Sequence, residues 1–216
     1  MKIAVIGATG FVGSTLIKEL VSRQFDVLGI ANVDKESADA NLKYVNLDVN
    51  QTSELASLIE GYDVLISAFS AGWTNPNYHE DYITSSVSIQ NAVRLAGVGR
   101  YIVIGGSGSL YVAEGVQAVD TNTFPEDFKT VAKAARAYYL EHLKTEETVE
   151  WLYFSPPFEM HPGITKGRTA KYRSGTLTPI FDEQGKCSIS VEDLAVAIVD
   201  EVENNSFNKT IYTVGY

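Results

Sequence analysis

The sequence predicts an α/β fold: a doubly wound, mostly parallel sheet with helices on both faces. Three observations lead there. Apolar, β-branched runs alternate along the chain with segments of helical period, joined by short connections. The strand-like runs are apolar throughout, as in strands covered on both faces. The first run breaks into glycines spaced three apart and passes straight into an amphipathic stretch. That order of strand, glycine turn and helix is the context a dinucleotide-binding fingerprint requires.

Lys2–Ile6 is the first strand and Phe11–Leu20 the first helix. In Gly7-Ala8-Thr9-Gly10-Phe11-Val12-Gly13 between them, Gly7 is placed to turn off the strand. Gly10 would leave room for a pyrophosphate, and Gly13 would let the helix lie close to the sheet. The helix N-terminus offers free N–H groups and a positive dipole end to phosphates. Asp26–Ala31 and Tyr44–Leu47 follow as strands, then a helix over Gln51–Glu60 with Leu55, Leu58 and Ile59 on one face. Asp63–Ser67 is a fourth strand. Tyr78–Gly97 is a long helix, with Gly97 suited to its C-terminal cap. Tyr101–Ile104 is a strand, Pro125 opens a helix reaching about Thr148, and Trp151–Phe154 is a strand stopped by Pro156-Pro157. Prolines and glycines then interrupt the pattern until a closing unit: strand Cys187–Ser190, helix Val191–Glu203 and strand Thr210–Val214. Residues 1–216 read as one domain. In it, 1–154 forms the dinucleotide-binding core, and 155–216 a small substrate-facing part too interrupted to bury a core of its own.

A net charge of −10, from 27 acidic against 17 basic residues, opposes nucleic acid and anionic membranes as partners. No apolar stretch approaches a membrane span, and the chain starts directly with a strand. The single cysteine, Cys187, excludes an internal disulfide and reads as a buried apolar residue. A cytoplasmic protein is expected. His79, His142 and His161 lack ligand spacing, so no metal site is expected.

In open parallel sheets ligands bind beyond the C-terminal ends of the strands. That rule selects the glycine turn; Asn32, Asp34 and Lys35; Asp48-Val49; Ser67-Ala68-Phe69 with the residues to Gly72; Gly105 to Tyr111; and Ser155-Pro156-Pro157-Phe158. All six loops are small, flexible or polar.

GATGFVG, NLDVN, LISAFS, IGGSGSLYVAEG, SPP, KYRSG and SISVEDLA, in that order, resemble the atypical short-chain dehydrogenases of the NADH-flavin reductase type. These are relatives of biliverdin reductase B and of the NmrA-like proteins. The resemblance covers essentially the whole chain. It implies a Rossmann-type domain binding NAD(P)H and hydride transfer to a flavin or similar flat acceptor. The alternative is a non-catalytic, NmrA-like sensor whose cofactor occupancy alters a partner contact. On this reading Gly7, Thr9, Gly10, Phe11, Val12, Gly13, Asn32, Lys35, Asp48, Val49, Ser67, Ala68, Phe69, Ser107, Ser155, Pro156 and Pro157 form the cofactor site. Asp48-Val49 is implied as an adenine contact, and Asp48 read from its position alone is a helix cap.

A 2′-phosphate calls for Arg or Lys at the end of the second strand, a free ribose hydroxyl for Asp or Glu. The family commonly carries Arg where this chain has Asn32. Lys35 supplies a charge nearby and Asp34 opposes it, which leans to NADP over NAD. None of the twelve tyrosines has Lys four residues later, so carbonyl–alcohol chemistry through a Tyr/Lys pair, or sugar epimerisation, is unsupported. Flavin reduction fits that absence, because N5 accepts hydride directly and N1 takes its proton from water. Tyr111 and Ser109 are the catalytic candidates. Trp73, Phe158, Tyr172 and Arg173 are candidates for holding a flat acceptor such as FMN or FAD. Each aromatic also reads as packing.

Overall fold

The computed structural model describes residues 1–216. In chain order the elements are β1 (Lys2–Ile6), α1 (Phe11–Ser22), β2 (Asp26–Ala31), β3 (Leu42–Asn46), α2 (Thr52–Ile59), β4 (Val64–Ser67), α3 (Tyr78–Ala96) and β5 (Arg100–Ile104). There follow β6 (Tyr111–Ala113), β7 (Val116–Gln117), α4 (Glu126–Tyr138), β8 (Glu150–Phe154), β9 (Arg173–Thr176), α5 (Val191–Asn204) and β10 (Thr210–Gly215). Eight strands form one sheet in the order β3-β2-β1-β4-β5-β8-β10-β9, parallel except for β9. It is a Rossmann-type doubly wound sheet.

Alternation within each strand feeds two cores. Ala4, Ile6, Leu65, Tyr101, Val103, Trp151 and Tyr153 face α2, α3 and α4. Ile3, Val5, Val64, Ile66, Ile102, Ile104, Leu152 and Phe154 face α1 and α5. Burial on both faces is why these strands read as continuous apolar runs. The helix ends follow local chemistry. Gly97 closes α3 in the left-handed region at φ +66°, and the Ser190 hydroxyl accepts the Asp193 N–H at the start of α5.

The structure departs from the sequence reading in four places. The helix after Pro125 ends in a wide, π-type turn over Tyr139–Leu143, short of Thr148. There the Glu146 carboxylate accepts the Thr148 N–H at 2.7 Å and the Val149 N–H at 3.3 Å, turning the chain into β8. Cys187–Ser190 is not a strand; only Ser188 makes a single bridge, to Glu159. The edge place beside β10 is taken by β9, whose sequence RSGT has no apolar alternation to announce it. A hairpin of β6 and β7, turning at Gly115 (φ +71°), was hidden because its strands are too short to show a period.

Candidate functional site

β1 lies between β2 and β4, so the chain winds outward on one side of β1 and returns on the other. The crevice at that reversal opens at the glycine turn. Gly7 has φ +74°, and a Cβ there would stand 2.3 Å from the Ala68 carbonyl oxygen. A Cβ on Gly13 would stand 2.1 Å from the Gly7 carbonyl oxygen. Both positions therefore demand glycine. Gly10 and Phe11 are exposed at the crest of the turn, where a Cβ on Gly10 would meet only the Gly7 oxygen, at 3.3 Å. No side chain caps α1 and its first turn holds no acid, whereas α2, α3, α4 and α5 each carry acid there. The bare N–H groups and uncompensated dipole end suit a phosphate.

A groove of about 720 Å³ runs from this turn across the ends of β2, β3 and β4. Of the cofactor candidates, Gly7, Thr9, Asn32, Asp48, Val49 and Phe69 line it. Asp48 is organised by its neighbour: its carboxylate accepts the Asn50 backbone N–H at 2.9 Å and the Asn50 side-chain amide at 3.0 Å. Gln51, not Asp48, occupies the cap position of α2. Sequence reasoning missed Asn46, Asn50, Ser70, Asn75, Asp81 and Ser85 in the same lining. Of these the loop rule selects only Ser70, and Asp81 and Ser85 belong to α3, which a rule about loops does not reach. Lys35 is not in the lining: its ammonium lies 4.6 Å from the centroid of the Tyr44 ring. Asp34 accepts the Asn46 side-chain amide at 3.1 Å.

At the ends of β5 and β8 the loops are tied together. A Cβ on Gly105 would fall 2.0 Å from the Tyr153 ring, so glycine lets that ring pass beneath the loop. The Tyr153 hydroxyl accepts the Gly106 N–H at 3.4 Å and lies 3.2 Å from the Ser109 hydroxyl. Burial pushes the Tyr153 phenol up to about 12. Ser155 donates to the Gly106 carbonyl at 3.2 Å, and Ser155, Pro156 and Pro157 are buried. Ser67, at the end of β4, is also buried, while Ala68 and Ser107 keep partial exposure. Ser109 departs from expectation. It is fully buried, and its hydroxyl meets Tyr153, so it supports the loop from below without facing the cleft.

A second groove, of about 680 Å³, lies between the β6–β7 hairpin and the segment after β9. Tyr111 lines it together with Leu177 and Phe181. Phe158 meets Phe181 edge-on, centroids 6.1 Å apart. The others lie elsewhere. Trp73 crosses to the first turn of α4, edge-on to Phe128 at 5.9 Å. Tyr172 donates to the Asp200 carboxylate on α5. Burial and that hydrogen bond hold its phenol far above the ordinary range. The Arg173 guanidinium donates to the carbonyls of Phe181, at 2.6 Å, and Tyr216. It braces the groove wall and does not face into it. KYRSG, with its compact cations and ring, is thus a clasp between β9, α5 and the C-terminal residue.

A doubly wound sheet with an open glycine turn at its reversal point defines a dinucleotide-binding protein. The chain belongs to the NAD(P)H-binding family, whose model matches residues 7–205. It is 28% identical over 216 residues to the uncharacterized protein YwnB of Bacillus subtilis, covering 99% of this chain and 98% of that protein. Among solved structures, a Bacteroides thetaiotaomicron protein provisionally named an epimerase is 37% identical, with a TM-score of 0.90 and coverage of 100% of this chain and 96% of the other. A Streptococcus pneumoniae protein provisionally named an NADH-flavin reductase is 30% identical, with a TM-score of 0.86 and coverage of 100% and 99%. Fold and family together make it an NAD(P)-binding protein. No helix is long and apolar enough to cross a membrane.

Proposed function

We propose that the protein is an NAD(P)H-dependent reductase delivering hydride to a flavin or similar flat acceptor. The observation that carries this reading is the apolar groove lined by Tyr111 and Phe181, with Phe158 packed edge-on against Phe181. Tyr111 and Phe158 follow the loops at the ends of β5 and β8, so the groove lies beside the cofactor end of the sheet. The glycine turn and the bare N-terminus of α1 would hold the pyrophosphate, and Asn32, Asp48 and Phe69 the adenosine half. The buried Ser155–Pro157 segment and the Gly105–Gly106 loop, kept in place by Tyr153, would fix the nicotinamide half. When bound, the reduced nicotinamide supplies a hydride, two electrons with one proton, and water supplies the second proton that completes the reduced acceptor. Positioning is then the protein's main contribution, which fits a chain with no Tyr/Lys pair.

Asp34 is engaged by Asn46, and Lys35 is the cation beside the end of β2; this arrangement favours NADPH over NADH. The single, buried Cys187 supports a reducing, cytoplasmic setting. The test is oxidation of NADPH and NADH by the purified chain with riboflavin, FMN or FAD as acceptor. Acceptor-dependent oxidation is expected. Nucleotide binding without oxidation by any of them would refute the proposal.

A further inference from the structure

The second groove has an anomalous wall. The Thr178 N–H donates to the Thr176 carbonyl at 2.7 Å, and Leu177 between them has φ +65°. That is a γ-turn of the rare, strained hand, which glycine would adopt without penalty. Leucine stands there instead, 42% exposed, packed into neither core and lining the groove. Its carbonyl accepts the Tyr111 N–H at 2.8 Å, so the strained turn is clasped to the hairpin that presents the other aromatic wall. Strain of this kind persists where the direction it gives a side chain is used.

Of the residues lining the groove, only Glu114 carries a charge at neutral pH. The nearest cation in sequence to its far wall, Arg173, is engaged with the Phe181 and Tyr216 carbonyls. A phosphate or carboxylate brought here meets, among the lining residues, an acid and no cation, which raises the cost of desolvating it.

We infer that this groove is the acceptor site, that Tyr111 and Leu177 grip the ring, and that it selects an uncharged flat ring over one bearing an anionic tail. It therefore takes riboflavin in preference to FMN. The inference rests on the reductase reading above but concerns binding, so the two separate in one experiment. Riboflavin and FMN are each titrated into the full chain with NADP⁺ present, following quenching of the flavin's own fluorescence. Riboflavin is expected to bind about tenfold tighter or more, a gap that Glu114→Lys narrows or reverses. Leu177→Ala should weaken riboflavin binding about tenfold, with NADP⁺ affinity retained. Leu177→Gly, which also relieves the backbone, should melt at higher temperature than the parent yet bind riboflavin as poorly as Leu177→Ala.

Absence of riboflavin binding, equal or tighter binding of FMN, or full riboflavin affinity in both Leu177 variants would overturn the inference. Turnover then distinguishes the two readings. Selective riboflavin binding without NAD(P)H oxidation refutes the reductase and leaves the groove assignment standing. Oxidation with FMN bound more tightly does the reverse.

Discussion

Replacing Gly13 by alanine tests the glycine turn most sharply. The new Cβ would stand 2.1 Å from the Gly7 carbonyl oxygen and 2.8 Å from its carbon, where ordinary contact begins at 3.4 Å. Neither obstacle is a flexible side chain. Gly7 is held by its own φ of +74° and by close approach to Ala68, so α1 must move outward by about 1 Å. Overpacking of this kind costs about 1–3 kcal/mol, or roughly 3–10 °C in melting temperature for a domain of this size. The same displacement takes the first-turn N–H groups of α1 off the phosphates. Hydrogen bonds to a charged group are worth about 1.5–3 kcal/mol each, so losing one weakens nucleotide binding by roughly tenfold to a hundredfold. Calorimetric titration with NADPH, paired with a thermal melt, reads both effects. Gly10→Ala, with only a 3.3 Å contact to accommodate, is the control and should melt within about 2 °C of the parent. Parental NADPH affinity together with a parental melt in Gly13→Ala would refute the close approach of helix and turn on which the site is built.

Four further outcomes follow from the same geometry. Tyr111→Ala should raise the acceptor KM about tenfold with NADPH affinity unchanged, since Tyr111 lines the second groove and not the first; steady-state kinetics with riboflavin check it. Lys35→Ala should weaken NADPH several-fold and leave NADH alone, read by fluorescence titration of each; an equal loss for both would remove Lys35 from cofactor choice. Arg100→Met leaves Glu201 buried without the guanidinium that now meets it at 2.6 Å, and should cost about 3–5 kcal/mol in urea unfolding. Glu146 is held well below the ordinary carboxylate range: burial raises it, but hydrogen bonds from Thr148, Gln90 and Arg94 outweigh that. Because its folded value is depressed, its contribution to stability is complete above the unfolded value of about 4.3 and is lost as pH falls below it. In Glu146→Gln, unfolding free energy should therefore decline less steeply than in the parent below about pH 4.

Much of this was legible in the residues, for physical reasons. Lys2–Ile6 and Trp151–Phe154 declared themselves because a strand buried on both faces needs apolar side chains at every position. The glycine turn was legible because a backbone passing 2.3 Å from where a Cβ would stand admits no other residue at Gly7. β9 was not, since an edge strand with one neighbour is defined by pairing with β10 and not by its own composition. Tyr172 and Arg173 illustrate the limit at the site. A ring and a cation look the same in sequence whether they meet a ligand or, as here, Asp200 and two carbonyls. Ser109 fails similarly: the motif places it in the right loop, but which way a loop residue points is decided by tertiary packing against Tyr153. Leu177 gave no signal, because a strained γ-turn at a leucine follows from the clasp to Tyr111 and from nothing local.

The central claim is that reduced nicotinamide bound at the glycine turn passes its hydride to a flat acceptor. It is tested most directly by titrating the purified chain with NADPH and NADH while following nicotinamide oxidation, with and without riboflavin and FMN. Tight binding of NADPH, little oxidation alone, and rapid oxidation once riboflavin is added are the expected results. Tight binding with no oxidation in the presence of either flavin would contradict it.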